Sequence, residues 1–164
     1  MSVNKQRPQV LVLPEDDADR QLAIGFHLVV PRELERQLQI LPPADGWMKV
    51  LDCFQSDHIG NMNRYRHRTM VLLMDFDESS ERLDHAKHVI PTTLTDRVFV
   101  LGSWIDPESL RRATGLSLEQ IGGKLAKECR DDTDETWRHE LLQHNAAELE
   151  RLRNFVRPIL FGSS

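Results

Sequence analysis

The residues Met70 to Asp77, Met-Val-Leu-Leu-Met-Asp-Phe-Asp, constrain the fold of this chain more than any other stretch. Five apolar residues run without interruption into two carboxylates, Asp75 and Asp77. A short apolar run of this kind, bounded by polar residues, suits a strand buried on both faces, as in a parallel sheet covered by helices. In such sheets ligands collect at the carboxyl ends of the strands, where these two acids stand. Strand alternation predicts that Asp75 and Asp77 point the same way. Two anions that close repel each other unless a cation or a proton lies between them.

The rest of the chain repeats this pattern of strand and helix. Residues 1–8 are polar and are expected to fray. Gln9 to Leu13 reads as a first buried strand ended by Pro14, and Glu15, Asp16, Asp17 and Asp19 follow it. A helix is predicted over 16–28, with acids in its first turn. A short second strand over 37–41 stops at Pro42-Pro43. Trp47, Val50, Leu51 and Phe54 recur at helical spacing, with Asp45 as the candidate cap. A strand over 68–74, a helix over 80–89 and a strand over 97–101 come next.

From Asp106 the pattern turns helical. Asp106-Pro107 reads as a cap followed by a first-turn proline, and Ser117 to Gln120 has capping-box spacing. Thr133 is expected to open one long last helix through Trp137, Leu141, Leu142, Leu149, Leu152 and Val156, stopped by Pro158. No internal repeat and no dividing linker stand out. The expectation is a single domain over 1–164: an α/β core over about 8–105, built on a small parallel sheet of about four strands flanked by helices, with a C-terminal helical extension over about 106–164.

Composition narrows the function. The net charge of −5 argues against a large non-specific nucleic-acid surface, but acidic metal-dependent nucleases are compatible with it. Cys53 and Cys129 are too few and too far apart for a disulfide framework or a zinc site. No apolar run approaches the roughly 20 residues of a membrane span, and the first residues lack a signal-peptide core, so the expected location is cytoplasmic. One locally basic stretch, Arg64-Tyr65-Arg66-His67-Arg68, precedes the central strand; Arg64, Arg66 and Arg68 are candidate phosphate contacts.

Two strands thus end in acids: Glu15 with Asp16 and Asp19 after the first, Asp75 and Asp77 after the third. On neighbouring parallel strands the two groups would meet. Ligands that are all oxygen suit Mg²⁺ or Mn²⁺, and a carboxylate left off the ion can shuttle protons.

The sequence Val-Leu-Val-Leu-Pro-Glu15 with Asp19 four positions on, together with Leu-Leu-Met-Asp75-Phe-Asp77, resembles the Toprim domain of topoisomerases, primases and the overcoming-lysogenization-defect nucleases. The resemblance covers about residues 8–105. It implies a Mg²⁺-dependent phosphodiester-cleaving enzyme acting on nucleic acid, with Glu15 as the catalytic acid/base or a metal ligand, and Asp75 and Asp77 holding the ion. Asp19 and Asp16 fall outside the direct ligands. The chain departs from the family at Asp16, where a glycine is usual, and at Glu78-Ser79-Ser80, where a glycine often stands. Its only tyrosine is Tyr65, beside the basic cluster, which removes topoisomerase chemistry.

Two further readings stand beside this one. Glu15-Asp16-Asp17 and Asp75 also resemble the acidic pocket and phosphoacceptor of receiver domains, with Ser103 as the later hydroxyl, although no Lys-Pro follows a fifth strand. The third reading is a catalytically inactive interaction module whose last helix, through Trp137 and its leucines, forms a homodimer or partner-protein surface.

Overall fold

The computed structural model describes residues 7–162. The polar segment 1–6, expected to fray, lies outside the described residues. Four strands form one sheet: β1 (Gln9–Pro14), β2 (Leu38–Ile40), β3 (Arg68–Leu73) and β4 (Val98–Leu101). Their order is β2-β1-β3-β4, and every pair is parallel. The central strands read as uninterrupted apolar runs because both faces are covered. Val10, Val12, Val71, Phe99 and Leu101 face one layer; Leu11, Leu13, Met70, Leu72, Val98 and Val100 face the other.

The first layer contains α1 (Asp17–His27), α5 (Pro107–Thr114), α6 (Leu118–Asp131), α7 (Ala146–Phe155) and α8 (Arg157–Phe161). The second contains α2 (Trp47–Cys53), α3 (Ile59–Arg64) and α4 (Ser80–His88). A π-helical turn, Phe54–His58, runs directly from α2 into α3. The fold is therefore α/β, a four-stranded parallel sheet between helical layers with a C-terminal helical element. No helix among the described residues is long and apolar enough to cross a membrane.

The structure contains an internal repeat that the sequence reading passed over. β1, α1, a 3₁₀ turn after Pro31 and β2 recur 60 residues later as β3, α4, a 3₁₀ turn after Pro91 and β4. Leu13 and Leu73, Asp17 and Asp77, Val29 and Val89, Pro31 and Pro91, Leu34 and Leu94, and Leu41 and Leu101 are identical across the repeat. The halves exchange faces: Val10 and Val12 face the first layer, but Met70 and Leu72 face the second. An approximate two-fold axis along the strands, between β1 and β3, accounts for both the sheet order and this exchange. The chain leaves β1 towards one edge of the sheet and β3 towards the other, so a crevice opens between their carboxyl ends. Glu15 and Asp75 are the equivalent residues there.

Two expected features differ. Asp45 does not cap α2. Gly46 holds the cap position, with no side-chain cap bond, and Asp45 adopts a left-handed conformation (φ 68°) that lets its N–H reach the Glu15 carbonyl. The single helix expected from Thr133 to Pro158 is also absent. α6 ends at Asp132 (φ 58°), and the Glu128 carboxylate accepts the Thr136 and Trp137 N–H groups that such a helix would have used. The Trp137 indole donates to the Leu125 carbonyl at 3.0 Å. Pro158 sits in the first turn of α8, where the missing N–H costs nothing. Trp137, Leu141, Leu142, Leu149, Leu152 and Val156, proposed above as a partner surface, are buried in the chain's own core.

The tail instead closes the edge of β4. Glu148, buried on α7, accepts the Val100 N–H at 2.9 Å, and Asn145 makes bonds to both the N–H and the carbonyl of Gly102. Arg151 pairs with Glu148 and lies over the Phe99 ring. Side chains thereby occupy positions a fifth strand would fill. Glu148→Ala should leave the Val100 N–H buried without an acceptor and Arg151 without its carboxylate, costing about 2–4 kcal/mol by urea denaturation. Glu148→Gln should keep most of that stability. Equal losses in the two variants would contradict the edge-closing role.

Candidate metal centre at the sheet crevice

Glu15 stands one residue past β1. Its N–H donates to the Leu73 carbonyl at 2.8 Å, and its carbonyl accepts Asp45 N–H at 2.8 Å, so its backbone is fixed from both sides. Asp16 is extended and caps α1, accepting the Asp19 N–H at 3.0 Å. Across the crevice, the chain beyond β3 stays paired to the segment after β4, with Met74 donating to Leu101 and Phe76 to Ser103. The Asp75 N–H points the other way and donates to Glu15 Oε1 at 2.9 Å. The two halves of the repeat are joined by this bond.

One oxygen from each of Glu15, Asp16 and Asp75 can be chosen so that all three lie within 4.8 Å of one another. Asp19, in the first turn of α1, lies against Asp75 and Asp16 and is 0% exposed. Neither of its carboxylate oxygens has a hydrogen-bond donor among the described residues, and Asp75 Oδ1 is in the same position. Carboxylates only accept, so the Asp19–Asp75 contact is satisfied only by a proton or a cation.

The electrostatics follow from this geometry. Burial holds the Glu15 carboxyl above its usual value, although the bond from Asp75 N–H opposes the shift. Burial, reinforced by the neighbouring Asp75 and Asp16 charges, pushes Asp19 well above its ordinary value. Asp75 rises to about 7, chiefly through burial; the bond from Asp19 pulls it down, and the Glu15 and Asp16 charges push it up. A proton kept on Asp19 and donated to Asp75 describes the pair without an ion.

Asp77 stands outside the cluster, although its charge still acts on Glu15. Asp77 and Glu78 are both left-handed (φ 49° and 56°), which ends the extended alternation after Phe76. Its side chain is 75% exposed and 3.8 Å from Arg82, outside the acidic cluster. Arg64, Arg66 and Arg68 precede or begin β3, at the amino ends of the strands, opposite the crevice. Six strand residues separate them from the crevice, about 20 Å, beyond reach of a phosphate bound there. Arg64 and Arg68 lie against the Tyr65 ring instead. Ser103 is fully buried, and its hydroxyl donates to the Asp106 carbonyl.

The sequence reading missed Arg82. Its Nη1 donates to the Asp75 carbonyl at 2.9 Å and its guanidinium lies 4.7 Å from the Trp47 ring, which also meets His85 edge-on. Nothing in its spacing distinguished it from other basic residues on predicted helices; only the Ser79 cap, which fixes where α4 starts, indicated that it faces the crevice. No family model matches the chain, and no curated protein or solved structure matches it either.

Proposed function

We propose that the chain is a Mg²⁺- or Mn²⁺-dependent, Toprim-like phosphodiester-cleaving enzyme that acts on nucleic acid. The observation that carries this reading is the buried, unpartnered carboxylate of Asp19 against Asp75 and Asp16, two of three converging acidic side chains. The donor set fits a hard cation: it is all carboxylate oxygen, with no histidine or cysteine in the cluster. Glu15, Asp16 and Asp75 would hold the ion, with Asp19 supporting Asp75. When bound, the ion would supply positive charge to a phosphate and acidify a water. Glu15 is oriented by the Asp75 N–H through one oxygen, and burial holds its carboxyl above the ordinary value, which favours proton uptake.

Cleavage assays on supercoiled plasmid and on single-stranded oligonucleotide, with Mn²⁺ or Mg²⁺ added, test the proposal. Glu15→Gln and Asp75→Ala should each lose about 10²-fold or more in rate while keeping the native circular-dichroism spectrum. Wild-type protein inactive with either ion, or a fully active Asp75→Ala, would contradict it.

The sheet order β2-β1-β3-β4 favours a second reading, since receiver-like folds begin with it and carry their phosphoacceptor where Asp75 stands. Against this reading, Asp75 is only 8% exposed, and side chains of α7 replace the fifth strand. Acetyl-phosphate labelling at Asp75 would favour this alternative.

A further inference from the structure

We propose that the site takes a single divalent ion and that Arg82, not a second ion, supplies the other positive charge to a bound phosphate. This rests on the metal-dependent reading above and adds a positioning residue to it. In two-metal phosphoryl-transfer sites, a pair of cations flanks the phosphate and both need carboxylates. Here Asp77, the second acid of the Asp-x-Asp pair, is turned out of the cluster by two left-handed residues and faces Arg82 at 3.8 Å. The remaining acids, Glu15, Asp16 and Asp75, converge on one point. Asp19 and Asp75, which both carry unpartnered oxygens, lie against each other, and Asp19 also lies against Asp16.

Arg82 has the attributes of a phosphate clamp. It is a planar, permanently charged fork, and one N–H is used on the Asp75 carbonyl, which places it beside the cluster. Its remaining N–H groups make no hydrogen bond among the described residues, and its contact with Asp77 is longer than a hydrogen bond. The Trp47 ring lies 4.7 Å from the guanidinium, and the Arg82 side chain as a whole remains 19% exposed. Counted from the helix caps Asp16 and Ser79, the equivalent residue in the first half of the repeat is Asp19, an acid. The cation is therefore present on one side of the two-fold axis only, opposite the half that contributes Asp16 and Asp19.

Calorimetric titration of the full chain tests this at pH 8, first with Mn²⁺ alone and then with deoxythymidine 5′-monophosphate added to Mn²⁺-saturated protein. Wild type should bind one Mn²⁺ per chain, and Asp77→Ala should leave that affinity within about twofold. Arg82→Gln should also keep Mn²⁺ affinity but weaken the nucleotide about tenfold or more, as loss of a charged hydrogen bond implies. Arg82→Lys should recover part of it. Two ions per chain, with one lost in Asp77→Ala, would overturn the inference and leave the metal reading standing. So would unchanged nucleotide binding in Arg82→Gln, or a fall in Mn²⁺ affinity matching the fall in nucleotide affinity, which marks a structural role. No Mn²⁺ binding to wild type would overturn both.

Discussion

Asp75→Asn is expected to raise the melting temperature of the metal-free protein at pH 8 while abolishing its stabilisation by Mn²⁺. The wild-type carboxylate must ionise at this pH beside Glu15, Asp16 and Asp19, in a site that withholds water from it. Its pKa is about 7, against an ordinary value of 3.8, so the folded chain holds a proton there that the unfolded chain releases. The sign follows by linkage: a raised acid pKa contributes stability that is complete below about pH 4 and is lost as pH rises through about 7. Each unit of difference is worth about 1.4 kcal/mol, so the loss by pH 8 is on the order of a few kcal/mol. An amide in place of the carboxylate carries no charge and can donate to Asp19, so the variant should melt about 5 °C higher at pH 8 and close to wild type at pH 4. Wild type should regain the difference on addition of Mn²⁺, because an ion that binds only the folded chain stabilises it by mass action. A variant that melts lower at pH 8, or that still responds to Mn²⁺, would show that repulsion among these acids is not what the site stores.

Gly122→Ala should be strongly destabilising, because α1 and α6 touch backbone to backbone. A Cβ on Gly122 would lie 2.0 Å from the Leu22 carbonyl oxygen, and one on Gly25 would lie 2.0 Å from that of Glu119. Neither neighbour is a flexible side-chain end, so the helices must separate, at a cost of about 3 kcal/mol. Gly123 is the internal control: a Cβ there meets the nearest atom at 3.7 Å, an ordinary contact. Gly123→Ala should be neutral or stabilising by up to about 1 kcal/mol, since alanine is the better helix former. The consequence extends to the site, because Asp16 and Asp19 lie at the amino end of α1. Gly122→Ala should therefore weaken Mn²⁺ binding as well as folding, whereas Gly123→Ala should affect neither adversely. Equal denaturation midpoints for the two variants would contradict the close helix contact.

The elements that carry strong local signals were legible in the sequence. Gln9 to Leu13 and Met70 to Leu73 announce buried strands by uninterrupted apolar runs, and Asp106-Pro107 and Ser117 with Gln120 mark helix starts that the structure forms. The meeting of Glu15 and Asp75 was legible as well, since acids after two neighbouring parallel strands must approach each other. The internal repeat was not, because most of its positions keep chemical class but not identity, as with Val12 and Leu72 or Glu15 and Asp75. The outward turn of Asp77 depends on two left-handed residues that are not glycine, for which no composition signal exists. The broken tail escaped for a similar reason: long-range bonds from Glu128 and Trp137 override a leucine spacing that suits one helix.

Anomalous diffraction from a crystal soaked in Mn²⁺ at pH 8 tests the central claim most directly. The expected result is one peak at coordination distance from oxygens of Glu15, Asp16 and Asp75, lost in the Asp75→Asn variant. A crevice without a peak, or a peak centred on Asp77, would contradict it.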